Sequence, residues 1–224
     1  MIEKLIEGRY IDLDLKTLNL KPEAVKNAKP PGGSFVDSTL MPYTIEQSVS
    51  EKAGLFSRTR TSGFSPGANQ AKVHRNFHWL KWLPPYIAHM PLGGVDVLTG
   101  PMSGCWVITY RWPGAPGDPV YVGHLGTCGT KQLDDEMKGG WNQFAAQNPD
   151  ALISGFQPNR AWADDLTGGL KNGEYTSIFA LLTPDRKFYS VKLGRVGMFG
   201  NRFHIVKVKE IAPTLGHALQ TIFT

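Results

Sequence analysis

Between residues 105 and 124 two short apolar runs flank a stretch that neither a helix nor a strand can cross. Trp106-Val107-Ile108-Thr109-Tyr110 is built from β-branched and aromatic side chains, and Pro119-Val120-Tyr121-Val122-Gly123 repeats that character. The residues between them, Arg111-Trp112-Pro113-Gly114-Ala115-Pro116-Gly117-Asp118, hold two prolines without backbone donors and two glycines open to positive φ. Strand, turn, strand is therefore the expected order, and an antiparallel hairpin its simplest form. Pairing Thr109 with Val120 gives a register in which Cys105 lies opposite His124. Val107 and Val122 then share their face, with Ile108 and Tyr121 on the other. Directly opposed residues have Cβ atoms roughly 4.5–5.5 Å apart, within reach of proton transfer between thiol and imidazole. A slip by one residue would turn His124 to the wrong face.

That juxtaposition has a chemical meaning. A free thiol titrates near pH 8.5, and an adjacent imidazolium lowers that value and holds the nucleophilic thiolate. Ser103 and Gly104, just before Cys105, are small enough for a carbonyl to approach the backbone N–H groups there, the makings of an oxyanion hole. Thr99, six positions before the cysteine, can fix the imidazole tautomer through its hydroxyl or its carbonyl. The plainer alternative is a buried cysteine serving as a small apolar side chain. A Cys105–Cys128 disulfide would mask the nucleophile.

The stretch Val95-Asp96-Val97-Leu98-Thr99-Gly100-Pro101-Met102-Ser103-Gly104-Cys105, with Pro119-Val120-Tyr121-Val122-Gly123-His124 after it, resembles the active-site hairpin of the cytotoxic-necrotizing-factor and Burkholderia-lethal-factor glutamine deamidases. CheD-like chemotaxis deamidases share the arrangement. The resemblance covers about thirty residues. Met102 stands where leucine is more usual, and the hairpin loop is longer than in the lethal-factor type. The resemblance implies Cys105 as nucleophile, His124 as base and Thr99 as the residue orienting it. It further implies a protein glutamine deamidase that needs no cofactor, a bacterial toxin or effector acting on host GTPases or translation factors.

Composition bounds the remaining classes. The chain has 224 residues, 41% of them hydrophobic, enough for one catalytic domain over 1–224, with 1–56 as a candidate N-terminal extension. Two cysteines do not make a disulfide scaffold. No apolar run reaches the length of a membrane span, and Met1-Ile2-Glu3-Lys4 does not open a signal peptide, so export is expected to use a dedicated system. The net charge is +5, and no acidic residue falls between Lys52 and Asp96, where Arg58, Arg60, Lys72, Arg75, Lys81, His74, His78 and His89 lie. Such a stretch reads as a solvated face or as a surface that steers an acidic partner. No nucleic-acid-binding motif accompanies it, and a protein substrate is expected instead. His74 and His78 lack the companions of a metal site, and neither metal nor cofactor is expected. A monomer is the expected state.

The rest of the pattern points to an α+β fold, a mixed and largely antiparallel, sandwich-like sheet with helices packed on it. Residues 9–15 alternate like a strand, and Pro22–Asn27 suits a short helix ended by Pro30–Gly33. Thr44-Ile45-Glu46-Gln47 has capping-box form and predicts a helix stopped at Gly54. The polar segment Ser57–Ala71 reads as a surface loop. Phe77, Trp79, Trp82 and Tyr86 are expected in the core. Leu133, Met137, Trp141 and Phe144 fall at helical spacing. Strands are expected over Ser177–Leu182, Lys187–Leu193 and Arg202–Ile211, with Thr183–Arg186 as a turn. His204, in the last of these, is a competing base that nothing places beside Cys105. Transglutamination, another cysteine hydrolase activity and a non-enzymatic binding module are the competing functions.

Overall fold

Side-chain alternation in the strands sorts this chain into layers. The computed structural model describes residues 5–19, 34–38, 44–53, 58–67, 77–197 and 200–223. The first sheet has eight strands in the order β3 (Thr44–Ala53), β4 (Arg58–Gly67), β1 (Tyr10–Leu13), β13 (Arg202–Ile211), β12 (Phe188–Val196), β11 (Glu174–Leu182), β7 (Val97–Met102) and β5 (His78–Trp79). The second has six, in the order β14 (Thr214–Leu215), β10 (Leu152–Phe156), β8 (Trp106–Arg111), β9 (Val120–Leu125), β6 (Ile87–Pro91) and β2 (Phe35–Asp37). Most neighbours run antiparallel; β1 with β4, β2 with β6 and β5 with β7 are parallel. The fold is α+β, two mixed sheets packed face to face with helical elements against them.

In β11, Ala180 and Leu182 face an inter-sheet core shared with Val97, Met102, Cys105, Val107, Val122, Phe156 and Phe188. Phe179 and Leu181 face the opposite side of the first sheet, where Ile11, Leu13 and Phe203 pack, together with Leu15 and Leu18 of the short helix α1 (Leu15–Leu18). β1 lies inside the first sheet, so the segment 1–56 contributes a paired strand to it. The outer face of the second sheet is covered by helix α2 (Lys131–Gln147). Thr130 caps that helix by accepting from Leu133 N–H. Its buried Met137, Trp141 and Phe144 meet Trp106, Ile108, Tyr110 and Leu125, each such side chain contributing about 1.5–3 kcal/mol by burial. Trp141 Nε1 donates to the Leu219 carbonyl at 3.1 Å. Among the described residues no helix is long and apolar enough to cross a membrane.

Several sequence expectations need correction. Residues 44–53 form strand β3, not a capped helix, and β4 fills most of the segment read as a loop. The two pair antiparallel from Thr44↔Gly67 to Ala53↔Arg58. The backbone pairing of the two segments overrides the local capping signal. The expected helix over Pro22–Asn27 and its stop at Pro30–Gly33 lie outside the described residues. Phe77 and Trp79 are buried as expected, whereas Trp82 is 38% exposed.

The basic stretch is not a uniform charged face either. Lys81 is 1% exposed, and burial lowers its pKa to about 8. His89 is buried, which lowers its pKa to about 4 despite the opposing pull of Asp37, so it is neutral at pH 7. Its Nδ1 lies 2.8 Å from the Tyr110 hydroxyl. Lys72, His74 and Arg75 lie outside the described residues.

Candidate active site

The hairpin forms, in a register two residues from the expected one. Thr109 pairs with Val122, Arg111 with Val120 and Val107 with His124. The cause is the turn: β8 runs on to Arg111, and residues 112–119 close the loop, helped by an Arg111–Asp118 ion pair at 3.1 Å. A slip of two preserves the face of every side chain. Cys105, Val107 and Val122 therefore still share the inter-sheet side, while Ile108 and Tyr121 face α2. Cys105 is not the ladder partner of His124; it stands one residue before β8, diagonal to the histidine.

Cys105 sits where the chain leaves the first sheet for the second, in the turn Ser103-Gly104-Cys105 between β7 and β8. Gly104 has φ +104°, a conformation L side chains rarely adopt, and a Cβ there would come within 3.1 Å of Thr127 Cγ2. Glycine is thus what lets the corner deliver the thiol inward. Thr99 comes from β7 and His124 from β9, so the two sheets supply different members of one cluster. Thr99 Oγ1 and His124 Nδ1 are 2.8 Å apart, and both residues are 1% exposed. The hydroxyl, not the carbonyl, meets the imidazole.

With Nδ1–H donating to Thr99 Oγ1, His124 presents Nε2 toward chemistry. That nitrogen is buried and makes no hydrogen bond of good geometry. It still governs the thiol. Burial of Cys105 raises its pKa, but the electrostatic pull of the neighbouring His124 and the donors on Thr127 outweigh this and lower it to about 6. No thiol–imidazole hydrogen bond is closed in this structure, a common state of such pairs before substrate binds.

Thr127 and Gln157 were not singled out by the sequence, yet both hold the cysteine turn. Thr127 N–H donates to Cys105 Sγ at 3.3 Å, and its hydroxyl donates to the Ser103 carbonyl at 3.1 Å. The hydroxyl also lies 3.6 Å from the sulfur, but it has one proton, so the backbone N–H is the constant donor to a thiolate. Gln157 Nε2 donates to the Gly104 carbonyl at 2.6 Å. Cys105 and Cys128 are both free thiols.

A cleft of about 430 Å³ opens onto Cys105, bordered among others by Ser103, Thr127, Trp82, Lys16 and Arg195. Trp82 is therefore a cleft wall. Its indole lies over Gly126, where a Cβ would stand 2.5 Å from Nε1. His204 is remote from this cluster in role: its Nδ1 is 3.3 Å from Glu174 Oε2, and its strand position pairs with Tyr10 and Gly194. Among the described residues no three His, Cys, Asp or Glu side chains gather as a metal site. Compared with known families, curated proteins and solved structures, the chain matches none.

Proposed function

We propose that this chain is a cysteine-dependent protein glutamine deamidase, which hydrolyses a glutamine side-chain amide in a protein partner to glutamate and ammonia. The observation that carries the reading is the buried Thr99–His124–Cys105 relay with its thiol pKa lowered to about 6. At pH 7 such a thiol is about nine-tenths ionised. Its sulfur attacks the amide carbon; the C–S bond forms and the carbonyl electron pair moves onto oxygen. Collapse breaks the C–N bond, and the nitrogen takes a proton from the His124 imidazolium and leaves as ammonia. His124 next removes a proton from water, whose oxygen attacks the thioester, breaking the C–S bond and returning the thiolate. Outside the strand ladders, the N–H groups of Ser103, Gly104 and Cys105 make no hydrogen bond among the described residues, which leaves them available to an oxyanion.

Competing readings fare less well. Papain-like hydrolases place the cysteine at a helix N-terminus, whereas Cys105 leads into strand β8. A binding module has no use for a thiol held as thiolate beside an unbonded imidazole nitrogen. The resemblance in the hairpin supports the further reading of an effector delivered into host cells by a dedicated system, with GTPases or translation factors as targets. The test is mass spectrometry of host-cell lysate treated with wild-type protein or with Cys105→Ala, scoring glutamine-to-glutamate conversion. Conversion confined to the wild type is expected, and lysates that match would overturn the reading. Adding a primary amine separates transglutamination: a deamidase still yields glutamate, whereas a transglutaminase yields the amine adduct.

Thr99 gives a graded expectation. Thr99→Val keeps the shape and removes the acceptor for Nδ1–H, leaving a buried donor unsatisfied at a cost of about 1–3 kcal/mol. The turnover number should fall about 5- to 150-fold by that energy, while Thr99→Ser should stay near wild type. Equal turnover by Thr99→Val and wild type would show that the hydroxyl does not set the tautomer.

A further inference from the structure

We infer that Gln157 is a positioning residue, which aims the Cys105 backbone N–H at the oxyanion by pinning the Gly104 carbonyl. The inference rests on the nucleophile assignment above and goes beyond it. The only cis peptide bonds among the described residues are Pro84–Pro85 and Gly100–Pro101, so the Gly104–Cys105 peptide is trans. In a trans peptide the C=O and N–H point in opposite directions. Gln157 Nε2 holds the Gly104 oxygen at 2.6 Å, so the Cys105 N–H is turned away from Gln157. Cys105 borders the cleft and Gln157 does not.

This orientation is not free to the backbone alone. Gly104 is the most permissive residue type at a φ of +104°, and a glycine corner without a lock has alternative peptide orientations. Gln157 follows the end of β10 (Leu152–Phe156), which pairs with β8 through Phe156↔Val107. The lock is therefore carried by the strand next to the one the cysteine opens. Thr127 fixes the preceding peptide as well, its hydroxyl donating to the Ser103 carbonyl, so the Cys105 corner is held at both of its peptides. Donors fixed before reaction stabilise a developing oxyanion without reorganisation, and losing one typically costs about 10²- to 10³-fold in rate.

Two reagents separate this role from a merely structural one. p-Nitrophenyl acetate acylates a thiolate through a tetrahedral oxyanion: the C–S bond forms, the C–O bond breaks and nitrophenolate leaves with the electron pair. Iodoacetamide alkylates the same sulfur by displacement of iodide, with no oxyanion. For Gln157→Ala and the uncharged, near-isosteric Gln157→Met, both of which lack the donor, Cys105-dependent acylation should fall about 10-fold or more, toward the cost of a lost oxyanion donor. Alkylation should stay within about twofold of wild type, because the thiolate is untouched. Unchanged acylation in folded variants would overturn the inference while leaving the nucleophile in place, and so would a parallel loss in both reactions. Wild-type acylation that does not depend on Cys105 would overturn both this inference and the functional reading.

Discussion

Replacing Cys105 by alanine is expected to abolish glutamine conversion, a loss of at least about ten-thousand-fold, because no other group can form the thioester. Folding should survive. Cys105 is 3% exposed among Met102, Val107 and Phe156, and exchanging its sulfur for hydrogen removes one heavy atom from that core, a cost of about 1 kcal/mol. Circular dichroism and a thermal melt would confirm an intact fold. Cys128→Ala should retain activity, since Cys128 packs at the edge of the core beneath α2 and the cleft at Cys105 is bordered by other residues. A folded Cys105→Ala variant that still converts glutamine would show that the nucleophile lies elsewhere.

His124→Ala is expected to cost about 10³- to 10⁴-fold. It removes the proton donor to the leaving nitrogen, the base for water and the charge that holds the thiolate. The loss should be larger than that of Thr99→Val, which leaves the imidazole in place with its tautomer unfixed. Steady-state ammonia release on a purified substrate checks the ranking. A His124→Ala enzyme no worse than Thr99→Val would mean that Nε2 takes no part in proton transfer.

The hairpin was legible because its information is local. Prolines and glycines at 113–117 exclude both strand and helix, and the flanking runs show β character. Parity was legible too, while the absolute register was not. Loop closure, with the Arg111–Asp118 pair, moved the ladder by two residues without changing which side chains share a face. The long strands β11, β12 and β13 could be read from their apolar, β-prone runs and the turn at Thr183–Arg186, whereas β3 and β4 could not. Their polar, serine- and threonine-rich sequences gain strand conformation from pairing with each other and with β1, which no local pattern encodes.

Trp82 shows the same limit in the site. Its aromatic neighbours Phe77 and Trp79 are core residues, and only the three-dimensional position of Gly126 explains why this tryptophan walls the cleft. Thr127 and Gln157 are uncharged side chains whose importance lies wholly in what they face. Nothing local marked either of them.

The most direct test of the account is the pH dependence of Cys105 alkylation, followed site by site by mass spectrometry. The thiol ionises at lower pH in the folded protein than in the unfolded chain. The stabilisation from its interactions is therefore complete above the free-thiol range and is lost as pH falls through about 6. Nucleophilicity follows the same thiolate population. In the wild type the alkylation rate should rise with a midpoint near pH 6 and level off above pH 7. In His124→Ala the midpoint should move up by at least about one unit, toward the free-thiol value of about 8.5. A wild-type midpoint above pH 8, or the same midpoint in both proteins, would contradict the Cys105–His124 pairing on which the proposed chemistry depends.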